Sequence, residues 1–307
     1  MNNLALFAML PPFYDAPPHK NAKWYLERIE EEFKVTVEKY RYLKWAFDND
    51  VFIINDKIVF RFPRTEKVRR DLKYELKFLN YVKDSFKVSI PRYSYISESD
   101  NFAGYKIISG KTLTAAVFKN LSKANKEKAI DQLIEFVNKF HKMSLAAFEK
   151  FEPAKRKDFI EDERRIEIEL EEKLFPKLPK QEVTVIQNFY KESKEYLQNV
   201  HNICATHGDL YAYNILWNKD KSQIGVIDFS NILAGDPAKD FEVFYDYGKP
   251  YAEIAYEKYK GPKDSEFLKR GEIYYKVHSI YTLLSSLLGA LIPFDFAHLR
   301  FKAKFGL

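Results

Sequence analysis

THGDLYAYNILWNKDKSQIGVIDFS runs from Thr206 to Ser230 and sets three oxygen-bearing side chains along one short stretch. Asp209 falls in a loop and Asn214 follows five positions later. Asp228 ends the second of two short apolar runs, NILW and IGVIDF, which read as strands of a hairpin. Taken singly, each is an ordinary loop or strand-end residue. Together they are what phosphoryl transfer demands. One carboxylate orients an attacking hydroxyl and accepts its proton, while one Asp and one Asn amide oxygen suit the hard cation that accompanies nucleotide phosphates.

Outward from this stretch the texture differs on the two sides. Upstream, Tyr25, Leu26, Ile29 and Phe33 recur at helical spacing, after which VTVEKYRYL, DVFIIN and KIVFRF read as strands. Asn55-Asp56 is a tight-turn pair between the last two. A helix is expected from about Val68 to Ser85, with Leu72, Leu76, Leu79 and Val82 on one stripe, and IPRYSYI and FAGYKIIS add two strands. After Gly110 the balance turns helical: a long amphipathic helix from Ala129 to His141, another from Val183 to Val200, and helix to the end of the chain. This predicts an α+β protein of two parts. A β-rich lobe with one inserted helix covers residues 1–108, with the proline-punctuated 1–20 as an irregular extension, and a larger helical lobe covers 109–307.

H-G-D-x-x-x-x-N followed by I-D-F resembles the catalytic and metal-binding loops of the aminoglycoside phosphotransferase family, whose fold is protein-kinase-like. GDPAKDFEVFYDYG from Gly235 to Gly248 resembles that family's next segment, and Phe47–Asn49, VFRFPR and FAGYKIISGKTLT resemble its nucleotide-binding lobe. The likeness spans roughly residues 40 to 300. It implies Asp209 as catalytic base or hydroxyl-positioning residue and Asn214 and Asp228 as ligands of Mg²⁺. It further implies ATP or GTP as donor, Asn49 in the phosphate-covering loop, and backbone of the Lys106-Ile107-Ile108 hinge against the base. Asp240, in the first turn after an Asp236-Pro237 helix start, is implied to brace the catalytic loop. His207 also reads as support, since the loop already has its carboxylate; His141 and Cys204 read as core residues.

The upstream lobe adds its own signal. Glu75 lies three residues after Leu72 and four before Leu79, so it sits on or beside a buried stripe, where a carboxylate needs a cation. Arg61, mid-strand, is the candidate, and the pair is similar to the kinase Lys–Glu bridge at the nucleotide phosphates. Against the resemblance, LKWAFDNDV contains no glycine. Close backbone approach to phosphates is therefore disfavoured, and Asp48 and Asp50 add negative charge. The segment Glu161 to Glu172 holds seven acidic and two basic residues. Glu161, Asp162 and Glu163 fall where the resemblance places the substrate wall, compatible with a cationic acceptor.

Composition narrows the classes. The chain has 307 residues, 46% hydrophobic and 31% charged, a globular balance. The net charge of +6 is spread without like-charge blocks, so nucleic-acid binding is not indicated. Ser279 to Phe294 carries no charge but is too short for a bilayer and reads as a buried helix. The first 20 residues make a poor signal peptide, and a lone Cys204 excludes an internal disulfide; a cytoplasmic monomer or weak homodimer is the expectation. The leading reading is a small-molecule kinase that phosphorylates an aminoglycoside-type hydroxyl. A metabolite kinase akin to homoserine or choline kinases and a nucleotide-binding pseudokinase are the alternatives.

Overall fold

The computed structural model describes residues 20–43, 48–98, 101–151, 166–198, 200–288, 290 and 292–307. Five antiparallel strands form the first sheet in the order β1-β2-β3-β5-β4: β1 Tyr40–Leu43, β2 Asn49–Ile54, β3 Ile58–Pro63, β4 Tyr93–Ile96 and β5 Ala103–Lys106. Residues 55–57 connect β2 to β3, and Asn55 and Asp56, both at φ 53°, form the left-handed centre of a turn closed by Lys57 N–H on Ile54 O. Strand parity then assigns the faces. Phe52, Ile54, Ile58, Phe60 and Phe62 pack with Tyr25 and Ile29 of α1 (Ala22–Phe33), whereas Val51, Ile53, Val59 and Tyr105 form a second cluster. Arg61 shares the parity of the second set. VTVEKYRYL is a strand only from Tyr40, because Asn55 captures the preceding backbone: its Oδ1 accepts from Glu38 and Lys39 N–H, and its Nδ2 donates to Thr36 O.

The inserted helix α2 runs Glu66–Val82, capped by the Thr65 hydroxyl on Val68 N–H. It starts two residues earlier and stops three earlier than the spacing predicts. Phe78 joins Leu72, Leu79 and Val82 in the buried face, and Leu76 does not. Downstream lie α3 (Ala115–Lys119), α4 (Lys123–His141), α5 (Leu145–Phe148), α6 (Lys180–Leu197), α7 (Glu242–Tyr247), α8 (Lys249–Lys258), α9 (Phe267–Leu287) and α10 (Phe294–Phe305). The apolar stretch from Ser279 is not one helix: α9 ends at Leu287, and α10 begins after Pro293. Between helices, β6 (Lys111–Thr112) pairs with β8 (Ile215–Asn218), which pairs with β9 (Gln223–Val226). β7 (Cys204–Thr206) pairs with β10 (Leu233–Gly235). β6, β7 and β10 are two or three residues long, too short to show a period. No helix among the described residues is long and apolar enough to cross a membrane.

Candidate active site

β7 delivers the chain into the loop His207-Gly208-Asp209, and Gly208 adopts φ 78°, a region in which a side chain is strained. Asp240 fixes this turn. Its carboxylate accepts from His207 N–H at 2.7 Å and Gly208 N–H at 2.9 Å, while His141 Nε2 lies 3.0 Å away and its Nδ1 contacts the Tyr259 hydroxyl. Burial opposes charge on Asp240, but the histidines and donated N–H groups hold its carboxyl below the usual range. Asp240 is positioned in turn by the short helix Pro237–Phe241, whose N-cap Asp236 pairs with the buried Arg270 and Tyr274.

The chain then makes one tight turn, Ala212–Asn214, which returns Asn214 to Asp209. Asn214 Nδ2 donates to the Asp209 carbonyl at 2.9 Å and to its Oδ2 at 3.0 Å. This fixes the amide so that its own oxygen is turned away from Asp209. Asp246, on α7, accepts from Ala212 N–H at 3.0 Å and holds the same turn from below. Burial, reinforced by the charge of Asp228, pushes the Asp209 carboxyl up to about 8, with Lys239 and Asn214 acting in the opposite sense.

Asp228 lies two residues past the end of β9, not within it, and takes φ 64°. A non-glycine residue held there is strained and must be held by its contacts. Those contacts are the Ser230 hydroxyl at 2.8 Å and Arg61 at 3.2 Å. They hold the Asp228 carboxyl below its ordinary range despite burial. Arg61 Nη1 lies 2.8 and 2.9 Å from the two Glu75 oxygens and 3.0 Å from the Tyr93 hydroxyl. One guanidinium thus ties α2, the sheet and Asp228 together. Tyr93 escapes sequence reading because an isolated strand tyrosine carries no signal of its partner.

Asn49 shares the face of β2 that carries Val51 and is buried, and its Oδ1 has no hydrogen-bond partner. Burial and the charge of Asp228 push the neighbouring Asp48 up to about 7, and its Oδ1 is also buried without a hydrogen bond. Asp50 corrects an expectation. It lies on the opposite face of β2, where Tyr25, Tyr42 and Arg64 donate to its carboxylate, so it does not oppose phosphates. Lys106 ends β5, paired with Ile58, and Ile107 N–H is donated to Lys57 O. Gly225 faces Ile108 so closely that a Cβ would lie 2.7 Å from its Cγ2, which is how the hinge can rest on β9. Glu161, Asp162, Glu163, Phe47 and Trp45 lie outside the described residues.

A small antiparallel sheet with one inserted helix, followed by a larger helical part, is a protein-kinase-like fold. The sequence model of the phosphotransferase enzyme family known as APH matches residues 39–261, and the chain belongs to that family. Among solved structures, the GDP and kanamycin complex of APH(2")-IIia superposes with a TM-score of 0.76 at 19% identity, covering 92% of this chain and 98% of that one. The GDP complex of wild-type aminoglycoside 2'-phosphotransferase-IIIa gives 0.74 at 20% identity, covering 94% and 99%. The apoenzyme of macrolide 2'-phosphotransferase MphH from Brachybacterium faecium gives 0.62 at 18% identity, covering 92% and 97%. These likenesses show a shared fold, and the family defines a small-molecule phosphotransferase.

Proposed function

We propose that this chain transfers the γ-phosphoryl group of ATP or GTP to the hydroxyl of a small molecule, with Asp209 as the base. The observation that carries the reading is the convergence of Asp209, Asn214 and Asp228 with Arg61, which reaches Asp228 from the sheet. The acceptor oxygen bonds to the γ-phosphorus, the bond to the β-phosphate oxygen breaks, the hydroxyl proton passes to Asp209, and the nucleoside diphosphate leaves. Asn214 holds the Asp209 carboxylate in place by its Nδ2, and Asp240 fixes the backbone that presents it.

Magnesium fits this donor set. The side chains offered are oxygens, and Asp48 Oδ1 and Asn49 Oδ1 are buried without hydrogen bonds. Two carboxyls, Asp48 and Asp209, are pushed upward by burial and then by the charge of Asp228, and a cation would relieve the latter. Among the described residues no group of three or more His, Cys, Asp or Glu could hold a metal ion, so the ion would be shared with phosphates. Asn214 and Asp228 would hold it, and when bound it neutralises charge on the transferring group.

An aminoglycoside-type acceptor is suggested by the neighbours solved with kanamycin and gentamicin. A metabolite kinase is the second reading, favoured by the cationic Arg300 beside the Tyr213 ring of the catalytic loop. Nucleoside diphosphate release against a panel of aminoglycosides, macrolides and hydroxylated metabolites tests the transfer. Turnover of none of them, together with no Asp209-dependent hydrolysis, would refute it.

A further inference from the structure

The outward face of α10 is unlike a solvated helix surface. Ala297 and Phe301 are buried, but Phe296 is 49% and Leu299 65% exposed, and Arg300 is half-buried. The Arg300 guanidinium sits 5.3 Å from the centre of the Tyr213 ring and 6.0 Å from that of Phe296. Tyr213 is itself 42% exposed and immediately precedes Asn214 in the turn that returns to Asp209. Beside it, Tyr211 contacts Tyr213 at 5.9 Å and His278 at 4.6 Å, and lies within the electrostatic reach of Asp209.

The charges sharpen the picture. Arg61, Arg64 and Arg270 each meet a carboxylate. Among the described residues no carboxylate pairs with the half-buried Arg300, whose named contacts are two aromatic faces. A planar guanidinium flanked by rings keeps its edge donors free for a two-pronged contact with an oxyanion. A polycation laid on this wall would meet a like charge, whereas an anion would find its complement.

We infer that Tyr213, Phe296 and Arg300 form a binding wall for the phosphoryl acceptor, and that the acceptor is a hydroxyl compound carrying an anionic group. Its body lies on the rings of Tyr213 and Phe296, its anion meets Arg300, and its hydroxyl extends along the turn toward Asp209. This rests on the transferase reading and replaces the polycation with an anion as the acceptor.

Calorimetric titration of the full chain, saturated with Mg²⁺ and a non-hydrolysable triphosphate, tests it. The probes are hydroxylated carboxylates (L-homoserine and 3-(4-hydroxyphenyl)propionate), a phosphorylated alcohol (glycerol 3-phosphate) and kanamycin. The expected result is binding in at least one anionic arm, weakened about tenfold or more in Arg300→Gln and less in Arg300→Lys, which keeps charge without the fork. Tyr213→Ala should weaken the same ligand, and the carboxylate and phosphate arms identify the anion. Binding of kanamycin alone, anion affinity indifferent to Arg300→Gln, or no binding by any anion would overturn the inference. The transferase reading is scored separately, by slow Mg²⁺–ATP hydrolysis in the wild type and its loss in Asp209→Asn.

Discussion

As the proposed base, Asp209 has two demands on it: it must be ionised to receive a proton, and its surroundings resist ionisation. Burial and Asp228 push it up to about 8. Its ionised fraction in the free chain therefore grows as pH rises toward that value, and kcat/KM should climb with it. Mg²⁺ bound beside Asp228 would offset its charge and favour the ionised form, whereas the triphosphate is itself anionic, so the limb should move to lower pH as Mg²⁺ saturation rises at fixed nucleotide. Rate profiles from about pH 6 to 9 at rising Mg²⁺ test this, and flat profiles would count against Asp209 as base. Asp209→Asn removes the proton acceptor but keeps the amide geometry. Turnover should fall by about a hundredfold or more, with triphosphate affinity nearly unchanged in a titration. Asp228→Ala should behave oppositely and abolish the Mg²⁺-dependent gain in nucleotide affinity. Equal affinities with and without Mg²⁺ in the wild type would contradict its metal role.

At the scale of elements, the loop is held by partners on other elements. Asp240 connects β7 to α4 through His207, Gly208 and His141. Asp240→Ala leaves two N–H groups and a histidine without their acceptor, and should cost about 3 kcal/mol or more of stability, read as a lower urea midpoint. Asp240→Asn keeps one acceptor oxygen and should lose less. Arg61 joins three elements in the same way. Arg61→Ala is thus a poor probe of nucleotide contact, because it strands Glu75 in the core. Arg61→Lys keeps the charge but cannot span Glu75 and Asp228 with the same fork. It should retain the fold and weaken triphosphate binding by roughly 1 kcal/mol or more.

Over the whole molecule, α10 is tied to the Ala212–Asn214 turn of the proposed catalytic loop. Lys304 Nζ donates to Tyr275 O at 2.8 Å and lies 3.8 Å from Asp246, which holds Ala212 N–H. Burial pushes Lys304 down to about 8, although Asp246 and Glu242 act in the opposite sense. The sign follows directly. An amine depressed in the folded state carries a penalty at neutral pH that is relieved as pH rises from its folded value toward the unfolded one near 10.4. Lys304→Met removes that penalty together with one hydrogen bond. Its stability relative to wild type should therefore be greatest at neutral pH and decline above about pH 8. Denaturant midpoints at neutral and alkaline pH check the trend.

By itself the sequence determined the two-part α+β plan, the Asn55-Asp56 turn and the stretch that carries the proposed catalytic residues. These are local properties: strand parity, helical spacing, turn residues and a short motif whose members are close in the chain. The pairing of Glu75 with Arg61 was legible as well, because a carboxylate on a buried stripe demands a cation and few were available. The short strands β6, β7 and β10 were not legible, since their pairing is with distant segments and two or three residues show no period. Asp50 looked like an obstacle to phosphates because adjacent letters do not reveal opposite faces, and the sheet turned it toward Tyr25 and Arg64. Only the tertiary structure set Arg300 against Tyr213 across 87 positions of sequence. Packing of α10 against the catalytic loop is decided by surfaces that the chain assembles only once folded, and no local rule in the sequence encodes such a meeting.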